Sequence, residues 1–450
     1  MALWLCGIAV HAQVSILDPS FNPGIGATNG LVETVLQQSD GKILVCGNFT
    51  TFNGLDRPYI ARLNNDGSVD MSFNARPGYW VRHMAQQPDG KIVIGGFFTT
   101  VASSPRGLLA RLNTDGTLDT TFDPGTGATG TLGVSITGNP DPFIFQLALQ
   151  TDGKILITGN FTNYNGTTIY GIARVNANGT LDTTFQVASG LDTWGRSIQV
   201  LSNNQILVTG WFNNYHNQTH NKMALINPDG LPDISFHPNI GDQTAIYSAV
   251  RMADGKYIIG GHSVNPQGLF RQDMARLNAD GTFDTNFTAY ANDKVQSVRL
   301  QSDGKILLGG EFSQINGVAR TRIARLNADG SLDDTFKAAV DNYIWTVHLP
   351  PDGSILISGG FYNIDGVSRN GVARLLATGQ LRLASPAKSG QVFSVSLQTQ
   401  TGKNYVLQYR ESLSISNWTS LPAVTGNGSV QTLSDSAAGN SNRFYRVWQN

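Results

Sequence analysis

The sequence predicts an all-β protein: a seven-bladed β-propeller closed by its own N-terminal strand, followed by a small β-sandwich. Three observations carry this expectation. Of 32 acidic residues only three are Glu (Glu33, Glu311 and Glu411), while 50 of the 450 residues are Gly. Asp and Gly favour turns and Glu favours helices, so this balance argues against a helical chain. An Asp-Gly-Lys-Ile turn recurs along most of the sequence, and a Leu-Asp-x-x-Phe signature that its last unit lacks stands alone near the N-terminus.

Composition bounds the rest. The length suits about three average domains. With 31 Lys+Arg against 32 Asp+Glu the net charge is −1, so nothing draws the chain to nucleic acid or to anionic membranes. A hydrophobic content of 40% is enough for a packed core and argues against disorder.

The first element is a leader. Ala2–Val10 is apolar and Val10-His11-Ala12 fits a signal-peptide cleavage site, so residues 1–12 read as a signal peptide. The basic start of such a leader is missing, so it reads as truncated or begun too far downstream. The run is shorter than the ~20 apolar residues needed to span a bilayer, and no membrane insertion is expected. Leu3-Trp4-Leu5 lacks the small residues of a lipoprotein site at Cys6. Cleavage after Ala12 would leave Cys46 alone, without an internal disulfide. Cys46 lies in an apolar run and reads as a buried small hydrophobe. The expected location is secreted or cell-surface.

Next comes the repeat, over 14–382. The turn glycine falls at Gly41, Gly90, Gly153, Gly255, Gly304 and Gly353, and Asn203-Asn204-Gln205-Ile206 is a degenerate seventh copy. Successive spacings are 49, 63, 51, 51, 49 and 49 residues. Each unit holds four short β-rich runs. In the first these are Val32–Gln38, the apolar Lys42–Gly47, Ile60–Leu63 and Ser68–Phe73, with turns at Asp40-Gly41, Asn53-Gly54 and Asp66-Gly67. Four strands per ~50 residues, repeated, predict propeller blades. An open superhelix would leave sheet edges bare at both ends.

Closure follows from counting. Leu/Val-Asp-x-x-Phe or a near variant ends six units, at Asp70, Asp119, Asp182, Asp233, Asp284 and Asp333; the seventh reads Leu375–Arg382 instead. Leu17-Asp18-Pro19-Ser20-Phe21 is the spare copy. Counting back from the hairpin turn sets Arg62 opposite Asp70, where opposite charges contribute about 0.2–1 kcal/mol. The seventh unit's own continuation would set Arg382 against Arg374, whereas the N-terminal strand offers Asp18. Asp18 is therefore expected beside Arg374, with Gln380–Leu383 leaving as a linker.

The repeat, with its Asp-Gly-Lys-Ile-Leu-x-x-Gly, Ala-Arg-Leu-Asn-x-Asp-Gly and closing Phe, resembles the delta-60 repeat of bacterial secreted and surface proteins, a family of predicted β-propellers. The resemblance covers roughly residues 14–380 and implies the fold; it brings no catalytic residues. The fourth unit departs most, with Asn203-Asn204 in the turn and Leu225 where others carry Arg.

The last element, 387–450, alternates apolar and polar residues in Gln391–Gln398, Asn404–Arg410, Ser429–Leu433 and Arg443–Val447, as half-buried strands do. It reads as a β-sandwich with Trp418, Phe444 and Tyr445 in its core. It resembles the small β modules at the ends of other exported bacterial proteins, whose role is either carbohydrate or surface attachment or inert structure.

Motifs for chemistry are few. Eighteen of 29 Asp belong to the repeat and serve its backbone. The Asn-x-Asp-Gly turns lack an oxygen ligand at the first position of a calcium loop, which here is Arg62, Arg111 or Arg325. His216 and His220 stand at a zinc spacing for a helix, but in a polar loop. No nucleophilic triad or phosphate loop is visible, and no metal or other cofactor is expected. A glycosidase needs two carboxyl groups about 5–10 Å apart; Glu33, Glu311, Asp192, Asp242 and Asp341 are the sources outside the pattern.

The units differ most beside one position. Nine residues before the turn glycine stand apolar residues (Val32, Val81, Ile144, Ile246, Val295, Ile344), except Gly195. One residue later come Glu33, Arg82, Phe145, Arg196, Tyr247, Gln296 and Trp345, and one earlier Trp80, Phe143, Trp194 and Tyr343. Neighbours of a core-facing strand residue point to the other side, here the channel or its mouth. The candidate ligand-binding residues are Glu33, Trp80, Arg82, Trp194, Arg196, Tyr247, Tyr343 and Trp345. Aromatic planes with Arg forks suit sugars; the competing reading is that they plug the channel. The 63-residue spacing adds an insertion, Gly125–Asp141, to the same face. The function expected is non-catalytic binding of a glycan or a cell-surface protein. Alternatives are a secreted polysaccharide-acting enzyme and a structural envelope component.

Overall fold

The computed structural model describes residues 16–133, 141–241, 245–263, 273–376, 384–399, 404–412, 417–426, 430–438 and 443–449. The expected leader, the middle of the insertion, Asp242 and the Gln380–Leu383 linker lie outside the described residues. Among those described, every regular element is a β-strand, and no helix is long and apolar enough to cross a membrane. The chain divides into two compact units, Leu17–Ala377 and one that holds the C-terminal strands.

Among the described residues of Leu17–Ala377, seven three-stranded antiparallel sheets are the blades, and smaller sheets of two or three short strands lie beside them. In blade one Val32–Gln37 is innermost, Ile43–Gly47 is central and Ile60–Leu63 lies outside it. The Asp-Gly turn between the first two forms because Asp40 Oδ1 accepts the Lys42 amide at 3.0 Å and Gly41 takes φ 83°, a conformation that only glycine adopts freely. The central strand is apolar throughout because both of its faces are covered. Leu44 and Cys46 pack with Ile92 and Ile94 of blade two, and Ile43 and Val45 with Leu356 and Val372 of blade seven. Each such side chain contributes about 1.5–3 kcal/mol through burial. Cys46 is the buried small hydrophobe that its surroundings predict.

The polar loop after the central strand is a two-residue hairpin. Thr51–Phe52 pairs with Leu55–Asp56, and Asn53 and Gly54 take φ 49° and 75°, as a hairpin turn of this kind requires. His216-Asn217 occupies the same place in blade four, with φ 54° and 61°. His216 is thus a turn residue, and His220 is buried four positions on.

The fourth strand is the first correction. Outside Leu63 only Val69 pairs, by a single bridge, and the other blades repeat this. The cause is the motif's own aspartate. Asp70 Oδ1 accepts the Ser72 amide at 2.9 Å, and the Asp70 carbonyl accepts the Phe73 amide at 3.3 Å, so the chain turns before a ladder can form. Asp70 Oδ2 accepts from Arg62 Nε at 2.7 Å and from Lys42 Nζ at 2.8 Å. The Arg62 guanidinium lies over the Phe73 ring at 4.7 Å and donates to the Thr114 carbonyl in the next blade. Lys, Arg, Asp and Phe of the repeat are therefore one network. The Lys–Asp–Arg triad recurs on Asp119, Asp182, Asp284 and Asp333. Burial acts to raise the Asp70 pKa, but the bonds from Lys42, Ser72 and Arg62 outweigh it and hold the carboxyl well below its ordinary range.

Blade seven has the arginine but not the following motif, and Leu17–Phe21 stands in that place. Leu17 bridges Leu375. Asp18 Oδ2 accepts from Arg374 Nε at 2.7 Å, the pair expected from the sequence, and Arg374 lies over Phe21 at 5.2 Å. Arg374 Nη1 donates to the Asn65 carbonyl of blade one at 3.0 Å.

In the C-terminal unit, one sheet holds Ala384–Ser389, Val392–Gln398 and Val430–Asp435. A second has Asn404–Arg410 paired with Thr419–Ser420, Val424–Thr425 and Phe444–Gln449. Val395, Leu397 and Leu433 of the first cluster with Tyr405 and Leu407 of the second. The expected core residues need correcting. Alternation along the last strand turns Tyr445 and Val447 inward and Phe444, Arg446 and Trp448 outward. Trp418 lies between the guanidinium groups of Arg410 and Arg446, at 4.5 and 4.3 Å.

Candidate ligand site at the propeller axis

Glu33, Arg82, Phe145, Arg196, Tyr247, Gln296 and Trp345 share a feature that spacing did not reveal: each is the extra residue of a β-bulge in the innermost strand. In blade one Val32 pairs with Gly47 and Thr34 with Cys46, leaving Glu33 unpaired; the same shift occurs in all seven blades. A bulge re-aims its side chain, so every blade sends one group toward the axis. The Gly-Gly pairs end the central strands for this reason. A Cβ on Gly96 would stand 2.3 Å from the Trp80 carbonyl oxygen and 2.8 Å from the Arg82 nitrogen, against the bulge. A Cβ on Gly95 would meet Ile144 of the next blade at 2.8 Å.

The bulged groups meet one another. Arg82 pairs with Glu33 and lies over Phe145 at 4.1 Å and Trp345 at 5.2 Å. Arg196 lies over Tyr247 at 3.8 Å and Trp345 at 5.5 Å and donates to Gln296. Gln296 Nε2 donates to Glu311 Oε1 at 2.7 Å, and Lys294 Nζ to Glu311 Oε2 at 3.0 Å. Burial raises the Glu33 carboxyl against the pull of the Arg82 charge. Burial first, then the Arg82 charge, pushes the Arg196 guanidinium down to about 9.

Below this layer Thr34, Gln146, Ser248, Ser297 and Thr346 tie neighbouring inner strands together. Thr34 Oγ1 donates to the Arg82 carbonyl at 3.0 Å, Ile198 N to Gln146 Oε1 at 2.8 Å, Val298 N to Ser248 Oγ and Val347 N to Ser297 Oγ, both at 3.1 Å. Thr346 Oγ1 of blade seven donates to the Glu33 carbonyl of blade one at 2.8 Å.

Residues before the bulges, residues at the ends of the central strands and two of the bulged residues build the rim. Trp80 stacks on Phe97 at 4.5 Å and Phe97 on Phe143 at 4.8 Å. Phe143 meets Trp194 at 5.7 Å, Trp194 meets Trp211 at 5.9 Å and Trp211 meets Tyr247 at 6.5 Å. Tyr343 and Trp345 make a separate pair at 5.5 Å. Leu132 of the insertion packs against this arc, its amide donating to Asn160 Oδ1 at 2.7 Å.

All eight sequence-derived candidates thus lie in one region, but at different depths. Glu33, Arg82, Trp194 and Tyr247 are buried, Glu33 with only 3% of its surface exposed; Trp80, Arg196, Tyr343 and Trp345 are partly accessible. Sequence reasoning missed Phe97 and Trp211, and Trp211 is 38% exposed. Both follow the glycine that ends the central strand, so the same alignment of units read at that position would have found them. Asp192 and Asp341 are structural: each caps the start of a hairpin, accepting the amides of Asn213 and Tyr362 at 2.9 Å. Among the described residues no three His, Cys, Asp or Glu side chains gather.

No curated protein sequence matches this chain. Among solved structures, the WD40 β-propeller domain of Doa1 is 14% identical, with a TM-score of 0.49 over 78% of this chain and 93% of that one. The streptogramin B lyase structure is also 14% identical, with a TM-score of 0.47 over 80% and 96%. The extracellular domain of the putative one component system BT4673 from B. thetaiotaomicron is 14% identical, with a TM-score of 0.46 over 95% of this chain and 47% of that one. The profile of the DUF5122 β-propeller, a domain of unknown function, matches residues 38–73, 87–122, 150–185, 201–236, 253–287, 301–336 and 351–381. These segments together make up more than half of the sequence, and the chain belongs to the DUF5122 β-propeller family.

Proposed function

We propose that this chain is an exported, non-catalytic binding protein whose ligand lies across the aromatic rim of the propeller. The observation that carries this reading is the continuous arc of ring contacts from Trp80 to Trp211, stacked at first and then edge-on or tilted, ending in a tryptophan 38% exposed. Aromatic faces held rigid by their neighbours bind the apolar faces of sugar rings at little entropic cost. Glu311 and Lys294 on blade six and His262 on blade five offer polar groups beyond the arc. A glycan is the favoured ligand, and a surface protein the alternative.

The carboxylates support binding over hydrolysis. Glu33 and Glu311 are each held by a cation, and Asp192 and Asp341 cap backbone amides, so each of the four has a structural role. In the same reading the Leu17–Phe21 segment closes the propeller by supplying the missing motif of blade seven, residues 1–12 direct export, and 387–450 form a β-sandwich module.

A glycan array, with product analysis of every binding sugar, tests the proposal. Capture without turnover, lost in the Trp80→Ala/Trp345→Ala variant, is expected. Turnover, or unchanged binding in that variant, overturns it.

A further inference from the structure

Within and beneath the bulged layer the axis holds more positive charge than the carboxylates of the described residues balance. A chamber of about 60 Å³ is lined by Arg82, Arg196 and Arg299, by the hydroxyl residues Thr34, Ser197, Ser248, Ser297 and Thr346, and by His83 and Gln146. Glu33 compensates Arg82. Among the described residues no carboxylate pairs with Arg196 or Arg299: Arg196 donates to the amide oxygen of Gln296, and Arg299 Nη1 to the Val298 carbonyl at 2.8 Å, with Ser248 Oγ at 3.5 Å. Glu311, one step away through Gln296, is itself held by Lys294.

A half-buried guanidinium without a counter-charge beside it loses part of its hydration uncompensated. Two facing one small polar space, with the Ser197 and Ser297 hydroxyls beside them, suit a small anion. The chamber has room for one small oxyanion or a few waters. It also has an entrance. Thr34, His83, Arg299 and Thr346 line both the chamber and a larger cavity of about 390 Å³, walled further by Gln37, Gln86 and His348. Arg299 stands where the two spaces meet. The field there is positive enough to act on its neighbours: burial, then the charges of Arg82 and Arg299, push His83 down to about 3, and burial, then Arg299, pushes His348 down to about 4. Both imidazoles are therefore neutral near pH 7, which leaves Arg299 without a facing carboxylate and Arg196 with only the more distant charges of Glu33 and Glu311.

We propose that the axial chamber binds a small inorganic oxyanion of the phosphate or sulfate class, admitted from the larger cavity and held by the guanidinium groups of Arg299 and Arg196. The chamber shares Tyr247 and Trp345 with the residues of the rim, but the anion's contacts are Arg299 and Arg196, so the proposal stands whether or not the rim binds a glycan.

The test is calorimetric titration of the full chain with inorganic phosphate at constant ionic strength, with chloride as the control. Saturable one-to-one binding is expected for phosphate and not for chloride. Arg299→Met should weaken it about tenfold or more, the loss of one charge-assisted hydrogen-bonding group, and Arg299→Lys by less. No phosphate binding, equal binding of chloride, or full affinity in Arg299→Met overturns the proposal. A second measurement needs no variant: crystals of the unaltered protein soaked in selenate should show an anomalous peak within hydrogen-bonding reach of Arg299, and peaks confined to the outer surface count against it.

Discussion

The periphery and the axis of the propeller use the same repeated backbone in opposite ways. At the periphery five blades build the same Lys–Asp–Arg triad from the same three motif positions. At the axis the seven bulges share one geometry, yet carry Glu, Phe, Tyr, Gln and Trp once each and Arg twice. The difference follows from what each position must do. A triad residue replaces missing backbone partners and bridges to the next blade, so its chemistry is dictated. A bulged residue is held by its backbone, so its side chain is free to vary, and the combination specifies the centre of the molecule.

The harshest way to break the peripheral pattern is acid. The carboxyl groups of Asp18, Asp70, Asp119, Asp182, Asp284 and Asp333 all titrate below the ordinary 3.8. In each, burial opposes the shift and hydrogen bonds from the neighbouring Lys, Arg, Ser or Thr override it, except that Asp18 lacks a Lys and Asp284 a hydroxyl partner. A group with a depressed folded pKa adds stability above its unfolded pKa, and this is lost as pH falls through the folded value. Stability should therefore change little from pH 7 to about 5 through these groups and collapse cooperatively below pH ~4. Circular dichroism against pH checks this. The axis should contribute nothing of that sign, since Glu33 is shifted upward.

A smaller loss comes from cutting one network. Arg374→Ala removes the partner of Asp18, the ring contact with Phe21 and the bond to Asn65. Stranding a buried carboxylate in this way costs about 3 kcal/mol. A lower urea midpoint is expected. If the Leu17–Phe21 segment closes the blade, proteolysis of the variant should begin at the N-terminal segment; an unchanged midpoint would show that this segment adds nothing to the fold.

Much of this was legible in the sequence because it is written in turns and charges. Asp-Gly and Asn-Gly state their own backbone geometry, and the Arg374–Asp18 pair followed from counting residues around a hairpin. Three features were not legible. The bulge is a shift in register between strands, and Arg82 and His83 both face inward only because of it, which strict alternation cannot show. Burial at the axis depends on side chains from seven distant segments meeting: Glu33 is covered by Arg82, 49 residues away along the chain. The Asp-x-x-Phe run looked like a strand by composition, but its aspartate bonds its own backbone instead.

Blade four offers the mildest and sharpest comparison, because it breaks the peripheral rule without breaking the blade. Leu225 replaces the arginine and Gln205 the lysine; Gln205 Nε2 still donates to Asp233 Oδ2, at 2.8 Å. The position is already a hydrogen-bonding one, and only the charge is missing. Gln205→Lys restores it at the half-exposed end of the network, where an ion pair contributes no more than about 0.5–1 kcal/mol. A rise of that size in unfolding free energy is expected, shrinking in high salt, together with a further fall in the Asp233 pKa by NMR titration. A neutral result with the pKa unmoved would mean that in this blade the amide's hydrogen bond already does all that the lysine does in its neighbours.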